Sequence, residues 1–145
     1  MSLIRWFVLT WMFTSCVAIP RQKKTCNNCY ATTSYEIIKH YHRNLNITVE
    51  DLMQQTKQGC AGGSPETILN KYFKGSKVVR GGLYKVITLL KKGPIILDYS
   101  NQHLVTAWKA TPRGILIHDT RDASQKILMP ENHALKFKYI IYPLL

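Results

Sequence analysis

Acidic side chains are scarce in this sequence. Eight Asp and Glu stand against 20 Lys and Arg, for a formal net charge of +12 over 145 residues. The basic residues run from Arg21 to Lys138 without gathering into a block, so they do not make a basic tail. They describe a soluble surface open to acidic partners or anionic membranes. No motif interleaves them with aromatics, and specific nucleic-acid binding is not expected. Internal repeats, low-complexity tracts and linker-like stretches are also missing, which leaves one domain as the economical organisation. No apolar run reaches the roughly 20 residues that a spanning helix needs.

The chain opens on "MSLIRWFVLTWMFTSCVAIP": Arg5, an apolar run from Trp6 to Phe13, then small residues ending in Cys16-Val17-Ala18. This is the pattern of a secretory signal cut after Ala18, giving a signal peptide over 1–18 and a single domain over 19–145. An uncleaved anchor is the alternative. A lipoprotein signal at Cys16 is disfavoured by the Phe-Thr-Ser before it. Asn46-Ile47-Thr48 is a glycosylation sequon and agrees with a eukaryotic secretory route. The expected location is the secretory pathway, an extracellular or lysosome-like compartment, with no membrane span after cleavage. A monomer is expected.

The two halves of the domain differ. From Cys29 to about His42, Tyr30, Ser34, Ile37, Ile38 and Tyr41 fall on one side at helical spacing. Thr48 followed by Asp51 marks a second short helix. Ser64-Pro65 opens a third, with proline at the first helical position, where its missing N–H costs nothing. A short helix near Leu83–Lys91 follows. Beyond Pro94 the runs are short, β-branched and bounded by turn residues: Pro94–Tyr99, His103–Trp108, Gly114–His118 and Lys136–Tyr142. Helices first and an antiparallel sheet afterwards predict an α+β fold.

Signal cleavage leaves Cys26, Cys29 and Cys60. An odd count allows at most one intrachain disulfide and leaves one thiol over. "Cys26-Asn27-Asn28-Cys29" admits three readings. A redox C-x-x-C belongs directly after a strand, and Pro20–Thr25 does not read as one. A zinc site needs four ligands, so His40 or His42 would have to join the three cysteines. A nucleophilic cysteine at a helix N-terminus, beside a structural one, is the third: the unpaired N–H groups and the helix dipole there favour thiolate.

Such a nucleophile needs an imidazole and a group to orient it. His103 begins one strand and Asp119 ends the next. With a hairpin turn around Ala110–Arg113, positions summing to about 222 lie opposite each other, which makes these two cross-strand neighbours on one face. An acid beside a histidine fixes its tautomer and stabilises its protonated form.

At this point the residues resemble the papain-like cysteine peptidases. Cys26-Asn27-Asn28-Cys29-Tyr30-Ala31 is similar to that family's C-G-S-C-W-A, Gly59-Cys60-Ala61-Gly62-Gly63 to its G-C-N-G-G, Gly93-Pro94-Ile95-Ile96 to its G-P-V strand and Gln102-His103-Leu104-Val105 to its histidine strand. Ile115–Asp119 lies where the family has its orienting asparagine. The resemblance implies Cys29 as nucleophile, His103 as general base and acid, Asp119 as orienter, and a Cys26–Cys60 disulfide. It makes Gly62 and Gly63 the backbone edge that pairs with an extended peptide, and implies a peptide or protein substrate with no cofactor and no metal. The family's oxyanion glutamine stands six residues before the nucleophile; that position is Lys23 here, and a one-residue slip gives the role to Gln22. The N-S-W motif is replaced by Asp119-Thr120-Arg121. The short length and the aspartate also resemble the bacteriocin-processing peptidase domains of the same superfamily. The implied activity is thiol-dependent peptide hydrolysis, the alternative a binding protein that keeps the scaffold without turnover.

Overall fold

The computed structural model describes residues 18–22, 25–100, 103–128 and 137–145. The expected signal up to residue 17, Lys23, Gln102 and Lys136 lie outside them. Three helices come first: α1 (Cys29–Tyr41), α2 (Val49–Gln55) and α3 (Pro65–Tyr72). Then follow β1 (Gly75–Gly81), α4 (Leu83–Leu90), β2 (Ile95–Ser100), β3 (His103–Thr111), β4 (Gly114–Asp119), β5 (Ser124–Leu128) and β6 (Phe137–Leu144). The strands form one antiparallel sheet of order β1-β6-β2-β3-β4-β5. The α+β architecture, helical half before sheet half, is the predicted one.

Local chemistry explains the helix starts. Thr48 Oγ1 accepts from the Asp51 N–H at 3.1 Å, and Asp51 Oδ2 accepts from the Thr48 N–H at 2.9 Å, a reciprocal box that starts α2. Pro65 occupies the first turn of α3. Helix α1 is buried on most of its circumference: Tyr30, Ala31, Ile37 and Ile38 are all nearly inaccessible. It packs with α2 and α3 on one side of the sheet, where Ile37 and Leu69 meet Ile96 and Ile141. The other side buries Leu97, Val105, Ile115, Ile117 and Ile140 with Val86 and Leu90 of α4.

The β3–β4 hairpin departs from the expected register. Thr106 lies opposite His118 and Ala107 opposite Ile117, two places from the predicted pairing. The turn falls later, between Thr111 and Gly114, and a bulge at Trp108 recovers one residue. Gly114 has φ +145°, and a Cβ there would strike the Leu128 carbonyl oxygen, so the turn requires glycine. Because the displacement is even, His103 and Asp119 keep a common face and become diagonal neighbours. Strands β1 and β5 were not predicted.

Polar side chains on α1 grip the end of β4. Cys29, Thr32 and Glu36, at spacings of three and four, share one helix face. Thr32 Oγ1 lies 2.8 Å from Thr120 Oγ1. Glu36, fully buried, meets His118 Nδ1 at 2.5 Å and accepts from Thr106 Oγ1 at 3.2 Å. The Trp108 indole N–H lies near enough to favour the charged carboxylate, although it makes no hydrogen bond of ordinary geometry among the described residues. Burial raises the Glu36 pKa and these donors pull it back. Removing one partner of a buried pair leaves the other uncompensated. Glu36→Ala should therefore lower unfolding free energy in urea by about 3–5 kcal/mol, and the apolar pair Glu36→Leu/His118→Leu by clearly less. A single variant as stable as the parent would contradict this role.

Candidate active site

Cys29 stands at the first position of α1, where backbone N–H groups lack helical partners. Its side chain is buried, 4% exposed. Burial is the largest influence and pushes the thiol above its ordinary pKa. The N–H groups of Leu104, Tyr30 and Cys29 itself act on the sulfur in the opposite sense, as does the Arg121 guanidinium more weakly. On the sequence alone, the helix N-terminus is expected to favour thiolate. Desolvation of a full negative charge outweighs it here. Cys29 Sγ lies 3.9 Å from Asn27 Oδ1.

Leu104 follows His103 at the start of β3, so its N–H on the sulfur brings the helix start and the strand start to one point. His103 is buried, and its Nε2 donates to Asp119 Oδ1 at 2.8 Å. That bond assigns the N–H tautomer to Nε2 and leaves Nδ1 as the ring atom that takes a proton. Burial lowers the His103 pKa; the Asp119 hydrogen bond and charge raise it, and Arg121 and Lys126 lower it again.

Asp119 is inaccessible and heavily hydrogen-bonded. Oδ1 accepts from His103 and from the Arg121 backbone N–H at 3.0 Å; Oδ2 accepts from Lys126 Nζ at 3.1 Å and Arg121 Nη2 at 3.4 Å. Burial opposes its ionisation, yet these four donors hold the carboxyl well below the usual carboxylate range. The resting site is thus a neutral thiol and a neutral imidazole beside an ionised carboxylate.

Cys26 and Cys60 form a disulfide across 34 positions, which leaves neither a Cys26–Cys29 redox pair nor a zinc set built on all three cysteines. Asn27 N–H donates to the Cys60 carbonyl at 2.8 Å and Tyr30 Oη to the Gly59 carbonyl at 2.8 Å, which holds the glycine turn against α1. Gly62, at φ +117°, is bridged back to Gly59. A Cβ on Gly63 would collide with Gln58 and Tyr30, so packing alone requires glycine there. Gln22 N–H donates to the Thr120 carbonyl at 2.7 Å and Nε2 to the Cys26 carbonyl at 2.8 Å, while Oε1 is buried without a partner among the described residues. Asn46 is exposed.

The structure thus brings Cys29, His103, Asp119 and Gln22 to one end of α1 and the sheet. Sequence reasoning missed Arg121 and Lys126 as partners of Asp119, and the Thr32 and Glu36 contacts. Only the two-residue spacing of Arg121 from Asp119 offered a local sign. Because thiol and imidazole rest neutral, alkylation of Cys29 by iodoacetamide should rise steadily between about pH 5 and 9 with no acidic plateau. A rate that is flat below neutral pH, followed by mass spectrometry, would show a preformed ion pair instead.

No protein-family model and no curated protein matches the sequence. Solved structures do. The peptidase domain of Streptococcus ComA, a bi-functional ABC transporter involved in a quorum-sensing pathway, superposes with TM-score 0.65 at 16% identity, over 85% of this chain and 94% of that one. The Carica candamarcensis cysteine protease CMS1MS2, in complex with E-64, gives 0.68 at 14% identity, over 92% and 95%. A double glycine motif protease from an AMS/PCAT transporter, in complex with the leader peptide, gives 0.63 at 15%, over 86% and 91%. The plant enzyme and the transporter peptidase domains are the two groups that the sequence resembles, and this chain has the fold of the papain-like cysteine peptidases.

Proposed function

We propose that this chain is a secreted cysteine peptidase that works through Cys29, His103 and Asp119. The observation that carries the reading is the 2.8 Å bond from His103 Nε2 to Asp119, next to a thiol reached by the N–H of Leu104. In acylation, His103 Nδ1 takes the Cys29 proton as sulfur attacks the carbonyl carbon. The C–N bond then breaks, and the proton passes to the leaving amine. Water, deprotonated by His103, next attacks the thioester; the C–S bond breaks and the proton returns to sulfur. Asp119, ionised throughout, stabilises the imidazolium at each stage.

The oxyanion is received by the backbone N–H of Cys29 and by the second hydrogen of Gln22 Nε2, the first being held by the Cys26 carbonyl. Gly63 offers its backbone to an extended peptide. The leader-peptide complex of the transporter peptidase supports a peptide substrate. The signal pattern, the Cys26–Cys60 bond and the exposed Asn46 support passage through the secretory route.

A non-catalytic peptide-binding scaffold is the second reading. It is favoured by the engagement of Gln22 with Cys26 and by Lys23 at the family's glutamine position. Turnover of a fluorogenic peptide pool decides between them. Cys29→Ala and His103→Ala should abolish hydrolysis, and Asp119→Asn should lower kcat by roughly 100–10,000-fold. Gln22→Ala should cost about 100–1,000-fold if its amide serves the oxyanion. Peptide binding without hydrolysis, unchanged in Cys29→Ala, would establish the scaffold reading. Protein expressed through a eukaryotic secretory route should begin at Ile19 and lose mass at Asn46 on deglycosylation; an intact Met1 or an unmodified Asn46 would refute that part.

A further inference from the structure

Among the described residues, Arg121 is the cation on Asp119 that the acids around it hold least. The Asp119 carboxylate is satisfied without its guanidinium: Oδ1 accepts two N–H groups, and Oδ2 accepts from Lys126 at 3.1 Å. The Arg121 Nη2 contact, at 3.4 Å, is the longest of the set. Lys126 is shared between two carboxylates, lying 3.1 Å from Asp119 and 3.1 Å from Asp122. The Arg121 side chain is 52% exposed, and among the described residues Asp119 is its sole acidic partner. A planar fork of five donors, anchored at one corner and open to solvent, suits bidentate capture of a carboxylate.

Its place relative to the reaction sets which part of a substrate it meets. Arg121 and His103 hold the same carboxylate, so the guanidinium lies on the imidazole side of the thiol. His103 delivers its proton to the departing nitrogen, and the residue bearing that nitrogen is the part of a substrate nearest to the His103 side of the site. The Arg121 charge is felt at both the Cys29 sulfur and the His103 ring. While His103 is neutral, Asp119 and Asp122 balance Arg121 and Lys126; when it takes the thiol proton, this side gains one positive charge. An anionic leaving residue is then favoured in the step that forms the acyl-enzyme. The excess of basic over acidic residues in the chain draws acidic peptides in the same direction. Arg121 also stands where the resembled N-S-W motif has its tryptophan, so the charge is this chain's own departure.

We propose that Arg121 binds a carboxylate on the leaving-group side of the scissile bond, either the side chain of an Asp or Glu there or the free C-terminus of the peptide. The proposal rests on the peptidase reading above.

The test uses peptides matched except at the residue after the scissile bond, each with a free and an amidated C-terminus, on the parent chain, Arg121→Gln and Arg121→Glu. Arg113→Gln, which removes an exposed charge at the far β3–β4 turn, is the control. The parent should prefer Glu over Gln by about tenfold in kcat/KM. Arg121→Gln should remove the preference, Arg121→Glu should invert it towards Lys, and Arg113→Gln should leave it intact. Preference for internal Glu in amidated peptides identifies the side chain as the source; preference confined to free C-termini identifies the terminus. No preference in the parent, or one that survives Arg121→Gln, overturns the proposal. If no peptide is cleaved, the peptidase reading fails and alkylation decides the rest. A ratio of iodoacetate to iodoacetamide rates at Cys29 that falls in Arg121→Gln keeps the anion site, and an unchanged ratio removes it.

Discussion

Thr32 and Glu36, one helical turn apart on α1, hold Thr120 and His118, the two residues on either side of Asp119. Glu36 is wholly inside the protein, so its carboxylate must find partners there, and among the described residues the β3–β4 pair supplies them through Thr106 and His118. The helix that carries Cys29 therefore lies against the strand that carries Asp119 in one register. The Cys26–Cys60 bond and the Asn27–Cys60 hydrogen bond fix the other flank of the helix start. Between these two attachments the sulfur has little freedom to move relative to His103.

Burial is the common cause of the site's electrostatic character. It raises the thiol, lowers the imidazole and opposes the ionisation of Asp119, which four donors restore. Charge separation between sulfur and ring is consequently left to the moment when a substrate excludes the remaining water and supplies a carbonyl to attack. Lys126 and the Arg121 backbone N–H help keep Asp119 ionised, and the Arg121 guanidinium adds a longer contact while facing solvent. A chain short of acids thus gathers two of them, Asp119 and Asp122, on Lys126.

Much of the element order was legible from short-range chemistry. The Thr48–Asp51 box, Pro65 at the first turn of α3, and Gly81-Gly82 and Gly93-Pro94 around α4 mark helix ends because such signals act within a few residues. Strands β2, β3, β4 and β6 are rich in β-branched and aromatic residues. "GSKVVRG" and "SQKIL" are not: one is framed by glycine, the other is short and largely polar. They become β1 and β5 because β6 and β4 offer open edges, a circumstance that no local window contains. The hairpin register was not legible either, since the bulge at Trp108, whose ring lies against His118, leaves no mark of its own in the sequence.

By itself, the sequence determined the α+β class and the candidates Cys29, His103 and Asp119, with an even strand separation between the last two. These depend on periodicity, parity and composition, which are local or additive. Only the tertiary structure decided which cysteines join, that burial outweighs the helix dipole at Cys29, and that Arg121 and Lys126 gather on Asp119. Disulfide choice and pKa depend on distances between groups far apart in the chain, and those distances exist only once α1 has packed on the sheet.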